Sequence, residues 1–195
     1  MIDGVEYGYA FEAITEGKTT WMLVMTFASL PGGRSVSPDR PKAGWVSVIR
    51  SDDHGRTWRF IKNLNSTFRA PLNESSFIRY QDGFLVACRS YENAQPVVVT
   101  DADFNVRRQV DLVAQYDFVA KGMGRPRVFE KDGRVYIIAR TTPKPRSAAP
   151  APGREATVTA AAVERMRLSL MRLNPQTLQI EKHVVLRQCR QSAGH

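Results

Sequence analysis

Tyr80-Gln81-Asp82-Gly83-Phe84-Leu85-Val86 returns 50 residues later as Glu130-Lys131-Asp132-Gly133-Arg134-Val135-Tyr136. In each copy an Asp-Gly pair divides two apolar runs. A type I′ turn needs φ > 0 at both central residues, so Asp-Gly in this setting predicts a β-hairpin. The other half of the repeat keeps the same offset: Val48-Ile49-Arg50-Ser51-Asp52-Asp53 recurs as Val98-Val99-Thr100-Asp101-Ala102-Asp103. A third, looser copy runs from Leu168 to Leu173, turns at Asn174-Pro175-Gln176-Thr177 and resumes at Leu178-Gln179-Ile180.

Each repeat therefore holds two hairpins, or four strands. They are predicted near 7–14, 20–28, 44–50 and 57–62; near 74–80, 84–89, 96–100 and 106–112; and near 125–130, 134–140, 166–173 and 178–186. Some runs alternate (Val46, Val48; Met166, Leu168, Leu170), whereas Trp21-Met22-Leu23-Val24-Met25 is continuously apolar, as in strands covered on both faces. Helical periodicity is weak. Four-stranded antiparallel units about 50 residues long predict an all-β fold, a β-propeller. Kelch blades have a similar period, but the Gly-Gly pair they carry occurs here only as Gly32-Gly33, in a loop. A β-sandwich is the runner-up and does not require a fixed period.

About three blades are expected, near 7–62, 74–112 and 125–186, making residues 1–195 part of a propeller. The Pro- and Ala-rich stretch 143–162 is expected to be a mobile loop within the third blade. The composition is 43% hydrophobic, with no apolar run near the ~20 residues of a membrane-spanning helix. The first residues lack the pattern of a signal peptide, so the chain does not assign a location. Net charge is +9, but Lys and Arg are scattered rather than blocked, and no basic stripe interleaves with aromatics. Neither nucleic acid nor membrane is an expected partner, and no cofactor or metal is called for. Two cysteines cannot build a disulfide framework, and Cys88, within Phe84-Leu85-Val86-Ala87-Cys88, is expected to be a core residue.

Between the third and fourth strands of blade one stands Ser51-Asp52-Asp53-His54-Gly55-Arg56-Thr57-Trp58. A turn Asp accepts nearby backbone N–H groups, Gly supplies φ > 0, and Trp returns into the sheet. In blade two, Asp103 is expected to keep the Asp place, with Asn105 replacing Gly55. This segment resembles the Asp box of sialidases and other BNR-repeat proteins. The resemblance implies a sialidase-like propeller, with about half of a six-bladed ring present here. It makes the box a fold element remote from the active site, so His54 is read as an exposed turn residue.

In antiparallel blades the 1–2 and 3–4 turns share one face, and the longer 2–3 and inter-blade connections share the other. Candidate site residues are sought on the long-loop face. The resemblance implies arginines that clasp a carboxylated sugar. It also implies a Tyr nucleophile with a Glu base, and an Asp acid/base. Asn73-Glu74-Ser75-Ser76, followed by Asp82-Gly83 and Arg89, resembles the segment that carries the base and one arginine, which implies Glu74 and Arg89. Gly124-Arg125-Pro126-Arg127 resembles the region of a further arginine. Arg125 aligns with Ser75 at the 50-residue offset, and either Arg125 or Arg127 could take the role. Asp39, in Pro38-Asp39-Arg40-Pro41, is the candidate acid/base. The chain departs from the family in having no Arg-Ile-Pro-like segment before the first blade and no loop Tyr after the blade-three arginines.

The function implied is a sialidase-like glycoside hydrolase acting on sialic acid or another acidic sugar, with its active site only partly present. The alternative is a non-catalytic Asp-box propeller that binds glycans or proteins. Three blades leave apolar faces uncovered, so self-association or flanking blades are expected as well.

Overall fold

The structure is a computed structural model; it describes residues 2, 7–26, 44–92, 94–120, 122–143 and 166–188. Twelve strands form three four-stranded antiparallel sheets. Blade one holds β1 (Tyr9–Glu16), β2 (Thr19–Thr26), β3 (Trp45–Ser51) and β4 (Arg59–Asn63). Blade two holds β5 (Leu72–Tyr80), β6 (Gly83–Ser90), β7 (Pro96–Thr100) and β8 (Val106–Asp111). Blade three holds β9 (Met123–Lys131), β10 (Arg134–Thr141), β11 (Arg167–Leu173) and β12 (Ile180–Gln188). Each sheet is a meander of sequence neighbours, the topology of a propeller blade. The first strands β1, β5 and β9 lie inside, with β5 packed against both of the others. Residues 144–162 of the Pro/Ala-rich stretch fall outside the described residues.

Blade two shows why some runs are continuously apolar. Along β6, Phe84, Val86 and Cys88 enter a core shared with blade one, while Leu85 and Ala87 enter one shared with blade three. β7 divides in the same way, Val98 toward blade one and Val97 and Val99 toward blade three. Each such side chain, fully buried, contributes about 1.5–3 kcal/mol. The blade-one core is aromatic: the Phe84 ring stacks on Phe104 (4.3 Å) and meets Trp21 edge-on (5.5 Å). The Arg79 guanidinium covers Phe84 at 4.7 Å. Cys88 is fully buried, and its thiol is pushed up to about 12 by that burial.

The connections between blades are not plain loops. After β4 comes a short helix α1 (Leu64–Phe68), and after β8 come α2 (Leu112–Gln115) and a 3₁₀ turn (Asp117–Val119). Asn63 and Asp111 cap the two helices by accepting from Ser66 N–H (3.2 Å) and Val113 N–H (3.0 Å). Leu64, Phe68, Leu112 and Val119 plug the ends of the inter-blade cores. Helices of one turn carry too little periodicity to show in the sequence.

Three turn expectations need correction. The β5–β6 turn is Gln81-Asp82, with Gln81 at φ +55°, and Gly83 already belongs to β6. Glycine is needed there for close approach, since a Cβ would lie 2.0 Å from the Thr100 carbonyl oxygen on β7. In blade three Asp132 and Gly133 do form the turn, at φ +52° and +69°. The closing pairs, Tyr80 with Gly83 and Lys131 with Arg134, thus lie 51 residues apart rather than 50. Arg125 is therefore the counterpart of Glu74, not of Ser75.

The third correction concerns the β3–β4 turns. In blade one, Asp53 accepts Thr57 N–H (2.9 Å), Thr57 Oγ1–H (2.6 Å) and Ser51 Oγ–H (2.8 Å), while Ser51 Oγ accepts Gly55 N–H (2.8 Å). Those bonds hold the Asp53 carboxyl down at about 2. In blade two the capping carboxylate is Asp101, not Asp103. Its Oδ1 accepts Asp103 N–H (2.9 Å) and Asn105 N–H (2.8 Å), standing where Ser51 stands in blade one. The positive φ falls on Phe104 (+61°), not Asn105, just as His54 takes φ +61° in blade one. In blade three Asn174 caps by accepting Gln176 N–H (2.9 Å) and Thr177 N–H (3.2 Å), and Leu178 takes φ +60°. His54 is exposed, whereas Phe104 and Leu178 drive into the two inter-blade cores.

Candidate functional site

The turns gather at one end of the molecule. His54 N–H donates to the Lys18 carbonyl (3.0 Å), which ties the β1–β2 turn to the β3–β4 turn. Arg107, on β8, grips Asp82 of the β5–β6 turn through both nitrogens (2.5 and 2.6 Å). Arg108 donates to the Gln176 carbonyl of blade three's turn. The opposite end is formed by the first residues of β1, β5 and β9 and the last of β6 and β10, and there the charged cluster lies.

Near this end each inner strand carries a bulge: between Ala10 and Glu12 on β1, between Leu72 and Ser75 on β5, and opposite Ala139 on β9. A bulge turns side chains out of the regular alternation and is frequent beside functional sites. On β5 it presents Glu74. Arg89 Nη1, on β6, donates to Glu74 Oε2 at 2.8 Å. Arg125 reaches the same carboxylate from blade three, its N–H donating to Oε2 (3.1 Å) and its Nε lying 3.3 Å from Oε1. Arg140 Nη2 stands 4.0 Å from Oε2. Arg125 itself holds φ +46°, a conformation rare for a non-glycine residue and one that proteins keep mainly where the surroundings enforce it.

Glycine at 124 makes room for Arg140. A Cβ there would meet the Arg140 guanidinium at 3.0 to 3.3 Å, so the guanidinium approaches the β9 backbone closely. Arg125 also extends across the inner strands to blade one, where its Nη2 donates to the Tyr9 hydroxyl (3.1 Å). Arg127 faces the same interior but joins a second cluster one step deeper. Its Nη1 donates to the Phe11 carbonyl (3.0 Å) and lies 3.4 Å from Glu12 Oε2. That carboxylate accepts from the Ser76 hydroxyl, and Ser76 Oγ accepts Val128 N–H (2.9 Å). The three blades are thus linked by polar contacts at two levels.

Of the residues read from the sequence, Glu74, Arg89 and Arg125 come together, Arg127 pairs with Glu12 instead, and Asp39 lies outside the described residues. Arg140, expected from the sequence on or beside the long-loop face, joins the cluster, as does Tyr9, which the sequence did not single out. The signal for Arg140 was present, since it follows Arg89 by the same 51 residues that separate Arg125 from Glu74. Tyr9 carries no such signal, because its contact runs between blades. Tyr116, from the long loop after β8, turns inward and accepts Ile180 N–H (2.8 Å).

A cleft of about 450 Å³ opens beside the cluster, between blades two and three. Arg89 and Arg140 form part of its wall, with Tyr91, Glu92, Gln95 and Met123. Three arginines against Glu74, with Glu92 in the wall, leave a net charge of about +1, which suits an anion held by charge-assisted hydrogen bonds. Among the described residues no three His, Cys, Asp or Glu side chains gather as a metal set, and no helix is long and apolar enough to cross a membrane.

No family model matches the chain, and no curated protein matches it. Solved structures do. The GH32 β-fructofuranosidase BmSUC1 of Bombyx mori matches with a TM-score of 0.51 at 13% identity, over 94% of this chain and 38% of that one. A point mutant of the same protein in complex with sucrose matches with a TM-score of 0.50 at 13% identity, over 89% and 36%. The chain therefore spans a little over a third of the length of these structures. At this identity the likeness is one of fold: three four-stranded antiparallel sheets arranged as propeller blades.

Proposed function

We propose that this chain forms part of a propeller glycoside hydrolase of the sialidase-like kind, acting on sialic acid or another acidic sugar. One observation carries the reading. Arg89, Arg125 and Arg140, from two neighbouring blades, converge on a single carboxylate beside a cleft at the end opposite the turns. Guanidinium groups match carboxylates in shape as well as charge.

In this reading a substrate carboxylate docks on Arg89 and Arg140 in the cleft, the positive charge that Glu74 leaves uncompensated. Glu74 is the candidate base and Tyr9 the candidate phenol, each held by Arg125; a guanidinium accepts no proton, so the transfer needs the two to meet directly when substrate is bound. Asp39 supplies the acid/base carboxyl. Further blades, from flanking sequence or a second copy, complete the ring and cover the outer apolar residues such as Val184, Val185 and Leu186 on β12. The Asp-box turns stay at the far end and carry no chemistry.

Titration calorimetry with N-acetylneuraminate, glucuronate, fructose and sucrose tests the reading. Binding of an acidic sugar and neglect of the neutral ones is the expected result; the reverse selectivity overturns it. Turnover of acidic methylumbelliferyl glycosides by the full-length protein, abolished in Glu74→Gln, separates enzyme from lectin. Acidic-sugar binding without any turnover would leave the non-catalytic propeller in its place.

A further inference from the structure

We propose that Gln95 is the residue through which the cleft recognises a hydroxyl group on the sugar whose carboxylate Arg89 and Arg140 hold. The inference rests on the acidic-sugar reading above and adds a specificity-determining contact to it.

Gln95 stands just before β7, in the wall of the cleft, and is 1% exposed. Its main chain is fully engaged: its N–H donates to Asp111 Oδ1 (2.8 Å) and its carbonyl accepts Leu112 N–H (3.1 Å). The same Asp111 caps α2, so the backbone at Gln95 is anchored to the start of the next blade connection. The side chain is different. Its amide oxygen is buried and has no hydrogen-bond partner. Buried polar atoms in native proteins are nearly always paired, and an unpaired one weakens the fold. Met, of the same length, would fill this place without the penalty. An amide kept here under that penalty points to a partner that arrives from outside.

The surroundings say what kind of partner. Across from the amide is Gly122, which carries no side chain; a Cβ there would lie 3.8 Å from Gln95 Nε2, in van der Waals contact. An amide is uncharged and offers both an acceptor and donors, exchanged by a half-turn of its last torsion. It therefore suits a neutral polar group rather than a second anion. The cleft, about 450 Å³, lies within the roughly 300–1,000 Å³ range of small-ligand sites. It has guanidinium groups in one part of its wall and an unpaired amide in another. That pairing fits a hydroxylated carboxylate, a sugar acid, better than a simple one. A site whose buried polar group is satisfied only by the right ligand discriminates strongly against analogues that lack the group.

The test compares sugar acids with cyclohexanecarboxylate, which keeps the carboxylate and loses every hydroxyl. Calorimetry on the full chain should show the tighter-binding of N-acetylneuraminate and glucuronate exceeding cyclohexanecarboxylate by about five- to tenfold, the scale of one neutral hydrogen bond. Gln95→Met should bring the two to parity and melt at or above the wild-type temperature. Arg89→Ala should weaken both ligands together. Gln95→Glu, which keeps the shape and adds a negative charge, should weaken both as well. Equal wild-type affinity for the two ligands, a preference that survives Gln95→Met, or a Gln95→Met protein of lower stability would each overturn the role of Gln95 alone. Failure of the wild-type protein to bind any of these carboxylates would overturn the acidic-sugar reading, and this inference with it.

Discussion

Arg125 occupies in blade three the register position that Glu74 occupies in blade two, and the two side chains meet at 3.3 Å. Arg140 stands to Arg89 in the same relation, 51 residues on. Where blade two places an acid and a base, blade three places two bases. The repeat that builds the fold thus brings four charged side chains to one level, and only one of them is negative.

The arginines should matter for binding far more than for folding. Their side chains are 36% to 59% exposed, and ion pairs of that kind add at most about 1 kcal/mol each to stability. A charged hydrogen bond to a ligand is worth about 1.5–3 kcal/mol, or roughly 10- to 100-fold in affinity. Arg89→Ala and Arg140→Ala should each lower acidic-sugar affinity by that factor, with melting temperatures within a few degrees of wild type. Arg89→Lys should recover only part of the loss, because it cannot form the two-pronged contact. Calorimetry and thermal melts on the same samples check both halves.

Gly124→Ala makes a finer demand. Its new Cβ would press on the tip of the Arg140 side chain, which can move away cheaply. We expect a stability change below about 1 kcal/mol, yet a clear loss of acidic-sugar affinity as Arg140 leaves its place. A variant that binds like wild type would detach Arg140 from recognition.

Phe104 and His54 share a turn position and a left-handed backbone but not an environment. Phe104 is fully buried and stacked on Phe84; His54 is exposed. Urea unfolding should give a cost of about 3–5 kcal/mol for Phe104→Ala and less than about 1 kcal/mol for His54→Ala.

Asp53 should tie stability to acid pH. Its carboxyl is held at about 2 by the Thr57 and Ser51 bonds, against an ordinary 3.8. Because the folded value is the lower one, the ionised carboxylate stabilises the turn fully above about pH 4, and that contribution fades as pH falls toward 2. Asp53→Asn should therefore melt below wild type at pH 7, with the gap narrowing between pH 4 and pH 2. A gap that stays constant over that window would show that the carboxylate's charge does not matter.

The strands were legible because hairpin punctuation and a fixed period are local signals. Asp132-Gly133, Asn174-Pro175 and the Ser51–Trp58 turn each mark a reversal that the structure contains. What escaped was fixed by other chains of contact. Gly83 resembles a turn glycine, but the demand on it comes from Thr100 on the neighbouring strand. Asp101 and Phe104 exchange the roles expected of Asp103 and Asn105, because a core is within reach of the turn's tip. At the candidate site, Glu74 and Arg89 are joined by one hairpin and could be paired from spacing. Tyr9 could not, because its partner Arg125 lies 116 residues away on another blade. The single-residue slip between a 50- and a 51-residue offset was enough to assign Arg125 the wrong counterpart.

Blade two gives alternate side chains of β6 and β7 to both cores, and all five residues of β7 are buried. Either neighbour can loosen while the other core survives, but blade two cannot open without breaking both. Amide protons of Val97 to Thr100 should accordingly be the last to exchange with deuterium, at the rate of whole-molecule unfolding, while those at the ends of β1 and β12 exchange through local fraying. The middle of the sequence is then also the last part of the molecule to come apart.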